Sequence, residues 1–154
     1  MDKEKLILEL EQKFDETKKD LGFKATFKEL DSIFFITDFI LEVGFVSDRF
    51  SRQLSHRIGN TYVSWLGTMQ DIVSPNPHNP VLLAEVKNCD DQDRKDAHDL
   101  IKVIMKSLRQ NALIGVTKNK KEEKEFIDDS VNNWNKVMKP KITKLYRKFV
   151  KNWS

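Results

Sequence analysis

One cysteine, Cys89, five glycines and four prolines are all that this 154-residue chain carries of the three residues that most constrain a backbone. A lone cysteine excludes an internal disulfide and fits a reducing compartment. So few glycines leave no glycine-rich phosphate loop, and no serine sits in a nucleophile-elbow setting. His56, His78 and His98 have no metal-ligand spacing with Cys89, which argues against zinc. Asp90, Asp91 and Asp93 lack the glycine and the distal glutamate of a calcium loop, so they read as helix capping. No run reaches the roughly 18 uncharged apolar residues that a membrane span needs. The longest candidate, Ile33 to Val46, is broken by Asp38 and Glu42. The charged start, Met1-Asp2-Lys3-Glu4-Lys5, leads into no signal-peptide core, so the expected location is cytoplasmic.

What is present is enough for one core. Hydrophobic residues make up 39% of the chain, aromatics 10% and charged residues 33%. A disordered chain would hold fewer aromatics. The length suits one domain, 1–154. The net charge of +3 does not by itself imply a nucleic-acid partner, but the distribution is uneven. After Asp129 no acid occurs, while Lys136, Lys139, Lys141, Lys144, Arg147, Lys148 and Lys151 follow.

Periodicity and punctuation divide the chain into N-terminal helices over 2–66, a mixed segment over 68–118 and basic helices over 122–153. Leu6, Leu10, Phe14 and Leu21 share one side of a first helix that ends at Gly22. Thr26 and Glu29 have capping-box spacing. The helix they open is expected to run to Val43 and stop at Gly44, with Phe35 standing in its polar stripe, where an exposed aromatic suggests a dimer contact. Residues 48–66 carry an apolar stripe, Phe50, Leu54, Ile58, Tyr62 and Trp65. Beside it lies a small-residue stripe, Ser51, Ser55, Gly59, Val63 and Gly67, which lets another helix approach closely. Three prolines then make a loop of Ser74 to Pro80. Val81 to Lys87 has no helical polar stripe and reads as a buried strand. An amphipathic helix over 91–110 and a second strand-like run, Ala112 to Thr117, complete a βαβ pattern. Pro140 kinks or divides the last helical stretch.

If 70–73 and 81–87 pair as a hairpin, Glu85 and Lys87 share one strand face and Asp71 reaches the same place. Two carboxylates suit a hard divalent cation, and a neighbouring lysine can orient water or stabilise phosphate charge. Acid-x-Lys occurs five times, at Glu11/Lys13, Glu16/Lys18, Glu85/Lys87, Asp93/Lys95 and Glu122/Lys124, and only Glu85/Lys87 lies in an apolar strand-like run. Over residues 27 to 118 this order resembles the PD-(D/E)XK nuclease superfamily, which includes restriction endonucleases and archaeal Holliday-junction resolvases. The chain departs from that pattern at Gln70, where the family carries proline. The resemblance implies an α/β, helix-rich restriction-endonuclease-like core with a small central mixed sheet flanked by helices. It implies a metal-dependent endonuclease acting on DNA, with Asp71 and Glu85 on Mg²⁺ or Mn²⁺, Lys87 positioning water, and a further acid from Glu42 or Glu29. Family habit adds a homodimer. Arg49, Arg52, His56 and Arg57, and later Lys144, Arg147 and Lys148, would then contact phosphates. Each group also reads as a solvated helix face. The competing expectation is a non-catalytic helical binding or adaptor domain, in which 70–88 is loop and short helix. The two differ in whether 80–87 is a strand.

Overall fold

A computed structural model describes residues 2–154, and every regular element in them is helical. In chain order these are α1 (Lys3–Leu21), α2 (Phe27–Phe34), α3 (Ile36–Val43), α4 (Phe50–Val73), α5 (Pro80–Val86), α6 (Asp91–Thr117) and α7 (Lys120–Asn133). A π-helical turn (Trp134–Met138) and α8 (Lys139–Asn152) follow. There is no strand among the described residues, so the expected α/β fold with a central mixed sheet is corrected to an all-α one.

Both expected strands became helix for local reasons. At 80–86, Asn79 accepts from the Leu82 amide at 3.1 Å and Pro80 occupies the first turn. That pair is a helix start: the cap supplies an acceptor, and proline lacks only an amide that would have gone unused. At 112–117 nothing interrupts α6. Ile114 extends the inward series Ala97, Leu100, Ile104, Ser107 and Asn111, which steps by three or four throughout. The helix stops only at Lys118, whose backbone is left-handed (φ 54°) and whose N–H reaches Ile114 O at 2.8 Å.

The chain divides into two compact units, with boundaries inside α4, α6 and α7. The first contains residues 1–61 and 107–131. Gly22 ends α1 in the left-handed region, and Thr26 and Glu29 form the capping box of α2. Leu10, Phe14, Leu30, Phe34, Ile40, Leu54 and Ile58 are buried. Phe14 meets Phe23, Phe27 and Phe50 edge-on at centroid distances of 5.7, 5.1 and 6.4 Å. The Asp128 carboxylate of α7 accepts from the Lys24 and Ala25 amides, both at 2.9 Å, and fixes the chain between α1 and α2. The small stripe of α4 performs its expected role in part: a Cβ on Gly59 would lie 3.2 Å from Asn111 Nδ2 of α6.

The second unit contains residues 62–106 and 132–154. Tyr62, Met69, Ile72, Leu100, Ile104, Met138 and Leu145 are buried in it. Pro140, in the first turn of α8, has no amide to donate backwards, and the π turn stands immediately before that helix.

The single helix expected over 27–43 is two. Phe35 adopts a left-handed conformation (φ 54°, ψ 52°) between α2 and α3. Asp31 supports the break twice, accepting the Phe35 amide on its backbone oxygen at 2.9 Å and the Thr37 amide on its carboxylate at 2.7 Å. An L-residue pays roughly 1 kcal/mol or more for this conformation. The Phe35 side chain is half exposed and loses little packing on removal. Phe35→Gly is therefore expected to raise stability by about 1 kcal/mol, read as a higher urea midpoint with unchanged slope. A lower midpoint would mean that the ring contributes more packing than the strain costs.

Candidate functional site

The three residues expected to carry chemistry occupy helical positions. Asp71 lies half-buried in the last turn of α4, and Glu85 lies half-buried in α5. Lys87 is the exposed C-cap of α5. On a strand, residues 85 and 87 would share a face. On a helix two residues apart they are turned by roughly 200°, so the acid-x-Lys spacing no longer brings acid and amine together. Glu85 instead accepts from the Trp153 indole N–H at 2.9 Å. The hairpin meant to bring Asp71 alongside does not form. Glu29 is in its capping box and Glu42 is exposed near the end of α3. Among the described residues, no group of three or more His, Cys, Asp or Glu side chains could hold a metal ion. The resemblance to PD-(D/E)XK nucleases, with the restriction-endonuclease-like nuclease reading built on it, is thus corrected, because the sheet that defines that fold is missing.

The cations expected to meet phosphates divide into engaged and free. Arg57 donates from Nε to Phe34 O at 2.7 Å and stacks 5.3 Å from the Phe39 ring centre. Arg52 is held by Asn111, through Oδ1 at 3.0 Å and the backbone oxygen at 3.3 Å. Arg49 and Arg147 are exposed. Lys144 and Lys148 are engaged in the second unit by a ladder that periodicity alone could not reveal.

That ladder is built from two registers. Asp90, Asp93, Asp96 and Asp99 recur every third residue at the start of α6. Lys141, Lys144 and Lys148 recur at three and four along α8, so each set forms one stripe. Lys141 lies 3.5 Å from Asp96 and 3.2 Å from Asp99. Lys144 lies 3.2 Å from Asp96 and 3.7 Å from Asp93, and Lys148 lies 3.4 Å from Asp90 and bonds Asp93 closely. Asp93 is fully buried. It also accepts the Asp90 amide at 3.0 Å, while Asp90 accepts the Asp93 amide at 2.8 Å, a reciprocal cap at the α6 N-terminus. That bond to the Asp93 backbone, aided by the Lys148 charge, holds the Asp90 carboxyl below its ordinary range. Burial raises the Asp96 carboxyl, but the bonds from Gln92 and Lys144 and the charges of Lys144 and Lys141 outweigh it and leave it lowered. The bond to Asp93 raises the Lys148 ammonium. Burial, then the Asp93 charge, pushes the Cys89 thiol up, which keeps it protonated and a poor nucleophile.

Beside the ladder, α8 presents a different stripe. Tyr146 is half-buried, with its ring 5.6 Å from Trp65 in a T-shaped contact. Four and seven residues on, Val150 is 69% exposed and Trp153 54% exposed. The end of α8 is locked to α5: Asn152 donates to Ala84 O at 2.7 Å, and Trp153 to Glu85. One turn before Glu85 on α5 stands Val81, 66% exposed. No family model, curated protein or solved structure matches the chain. No helix among the described residues is long and apolar enough to cross a membrane.

Asp90 and Asp96 are lowered in the folded state, so their contribution is full above about pH 4 and is lost as pH falls through the folded values. Lys148 is raised, so its share is present below about pH 10.4 and is lost as pH rises past its folded value. Lys148→Met leaves the buried Asp93 carboxylate without its closest cation and is expected to cost about 2 kcal/mol at pH 7, the lysine's partial exposure holding this below a fully buried pair. Urea unfolding should show that penalty reduced in the Asp93→Asn background. An equal penalty in both backgrounds would mean that the pair contributes nothing.

Proposed function

We propose that this chain is a non-catalytic helical adaptor that binds a protein partner through the apolar end of its second unit. One observation carries the reading. Val150, Trp153 and Val81 are large, exposed and apolar, yet they stand on helices whose junction is fixed by side-chain hydrogen bonds. Isolated exposed apolar residues are ordinary, whereas a held group of them is the usual form of a contact surface. Two further features support it. Lys144 and Lys148, the α8 lysines expected to meet phosphates, face aspartates instead, which leaves fewer cations for nucleic acid. The stripe at 146, 150 and 153 has the spacing with which a helix enters a partner's groove. Arg147 and Lys151, both exposed, flank it and would supply a polar rim.

A photoreactive benzoylphenylalanine placed at Val150, and as a control at the equally exposed Leu8 of α1, tests this in the native cell. The expected outcome is a discrete protein adduct from position 150, absent from position 8 and lost with Trp153→Ala. Adducts that are the same from both positions would overturn the reading, as would adducts that nuclease treatment removes, which would move the partner class to nucleic acid.

A further inference from the structure

In the first unit the end of α6 and the start of α7 form a cleft of about 200 Å³. Its floor is apolar, made by Leu113, Ile114 and Phe126, and its rim on α7 carries Glu122, Glu125 and Asp129. No lysine or arginine stands in that lining among the described residues. Glu122 is half-buried and accepts from the Thr117 hydroxyl at 3.1 Å. Glu125 and Asp129 are exposed, and neither carboxylate has an ion pair or hydrogen bond among the described residues. Their charge faces solvent and is unmet. Leu113 is 52% exposed, and one turn further along α6 Val116 is 81% exposed. An acidic row on one helix thus runs beside an apolar row on the other. The volume lies below the ~300 Å³ at which small-molecule sites begin. Nor do three acids converge to hold a metal ion among the described residues. The cleft suits one inserted side chain, with separate cations along its rim.

The outer face of α8 carries the matching pattern. Arg147 and Lys151 are exposed and unpaired, and they stand four residues apart, as Glu125 and Asp129 do. Both charged rows therefore have a spacing of roughly 6 Å along their helices. Val150 and Trp153 stand three residues apart, as Leu113 and Val116 do. We infer that the partner of the α8 stripe is the α6–α7 cleft of a second copy of this chain. Val150 seats on the apolar floor, and Arg147 and Lys151 meet the Glu125 and Asp129 carboxylates. The inference rests on the α8 docking surface proposed above and names what it docks to. Charge fixes the pairing: two α8 faces would bring cations together, and two clefts would bring carboxylates together, so like does not pair with like. The contact is heterologous. Each copy offers both surfaces, so association continues past two copies unless a ring closes.

Sedimentation velocity of the full chain, over a concentration series at low and high salt, tests this. The weight-average sedimentation coefficient is expected to rise with concentration and to fall back at high salt. Glu125→Lys with Asp129→Lys makes a cleft variant, and Arg147→Glu with Lys151→Glu makes an α8 variant; all four side chains are exposed. Each variant alone should associate at least about tenfold more weakly than wild type. An equimolar mixture of the two should recover association, because each reversed surface then meets its opposite, and damage to the fold could not give that result. Benzoylphenylalanine at Val150 should crosslink to a second copy. A wild-type chain that stays monomeric up to its solubility limit overturns the inference. So does association that the reversals leave unchanged, or that the mixture fails to recover. A discrete adduct between position 150 and a different protein would then leave the adaptor reading standing, whereas no adduct from that position would remove both.

Discussion

Asp93 is the residue on which the second unit turns. A carboxylate with no exposure to water is tolerable only if charge and hydrogen bonds replace the solvent it has lost. Lys148 from α8 and the Asp90 amide from the turn before α6 both do this at Oδ2, while Oδ1 has only the Lys144 charge at 3.7 Å. The consequence spreads along both helices. Once Lys148 is committed to Asp93, the helical repeat brings Lys144 to Asp96 and Lys141 to Asp96 and Asp99. The ladder sets the register of α8 against α6 while Leu145 and Phe149 supply the apolar contact beside it. A close-packed apolar contact and a buried ion pair each lose their fit when a helix slips, so the two reinforce one register.

The first unit solves the same problem with an amide in place of a charge. Gly59 on α4 leaves room for Asn111 of α6, and Asn111 uses that room to bond both Ser55 O and Arg52. One small residue thus lets a polar side chain pass close to a neighbouring backbone, and the same side chain immobilises a guanidinium. Arg52, so held, keeps its other terminal nitrogen 3.6 Å from the Glu123 carboxylate, as an ion pair.

Where structure depended on neighbours in sequence, it could be read from residues alone. Gly22 and Gly44 end helices because a left-handed residue accepts the last turn's geometry, and the Thr26–Glu29 box opens one for reasons contained in four residues. Phe35 was visible as an anomaly in a polar stripe, but not as a helix break, because neither glycine nor proline marks it and its support comes from Asp31. The run from Val81 to Val86 carries strand-like composition, and the deciding signal was the Asn79–Pro80 start ahead of it. The nuclease-like constellation of Asp71, Glu85 and Lys87 rested on that one assignment and fell with it. The ladder was beyond sequence reasoning in a different way. Each stripe was visible, yet Lys148 and Asp93 are 55 residues apart, and nothing local says that one stripe neutralises the other. Lys144 and Lys148 therefore resembled a surface for phosphates.

The π turn at Trp134–Met138 accommodates one more residue than an α-helical turn would. Removing a single residue there would restore regular α geometry and leave every side chain beyond it chemically unchanged. Because the wider turn absorbs that residue, α8 would keep its facing, with Lys141, Lys144 and Lys148 still toward their aspartates and Val150 on its present bearing. The turn acts as a buffer: it takes up a surplus residue in its width, so that the two stripes of α8 hold their directions.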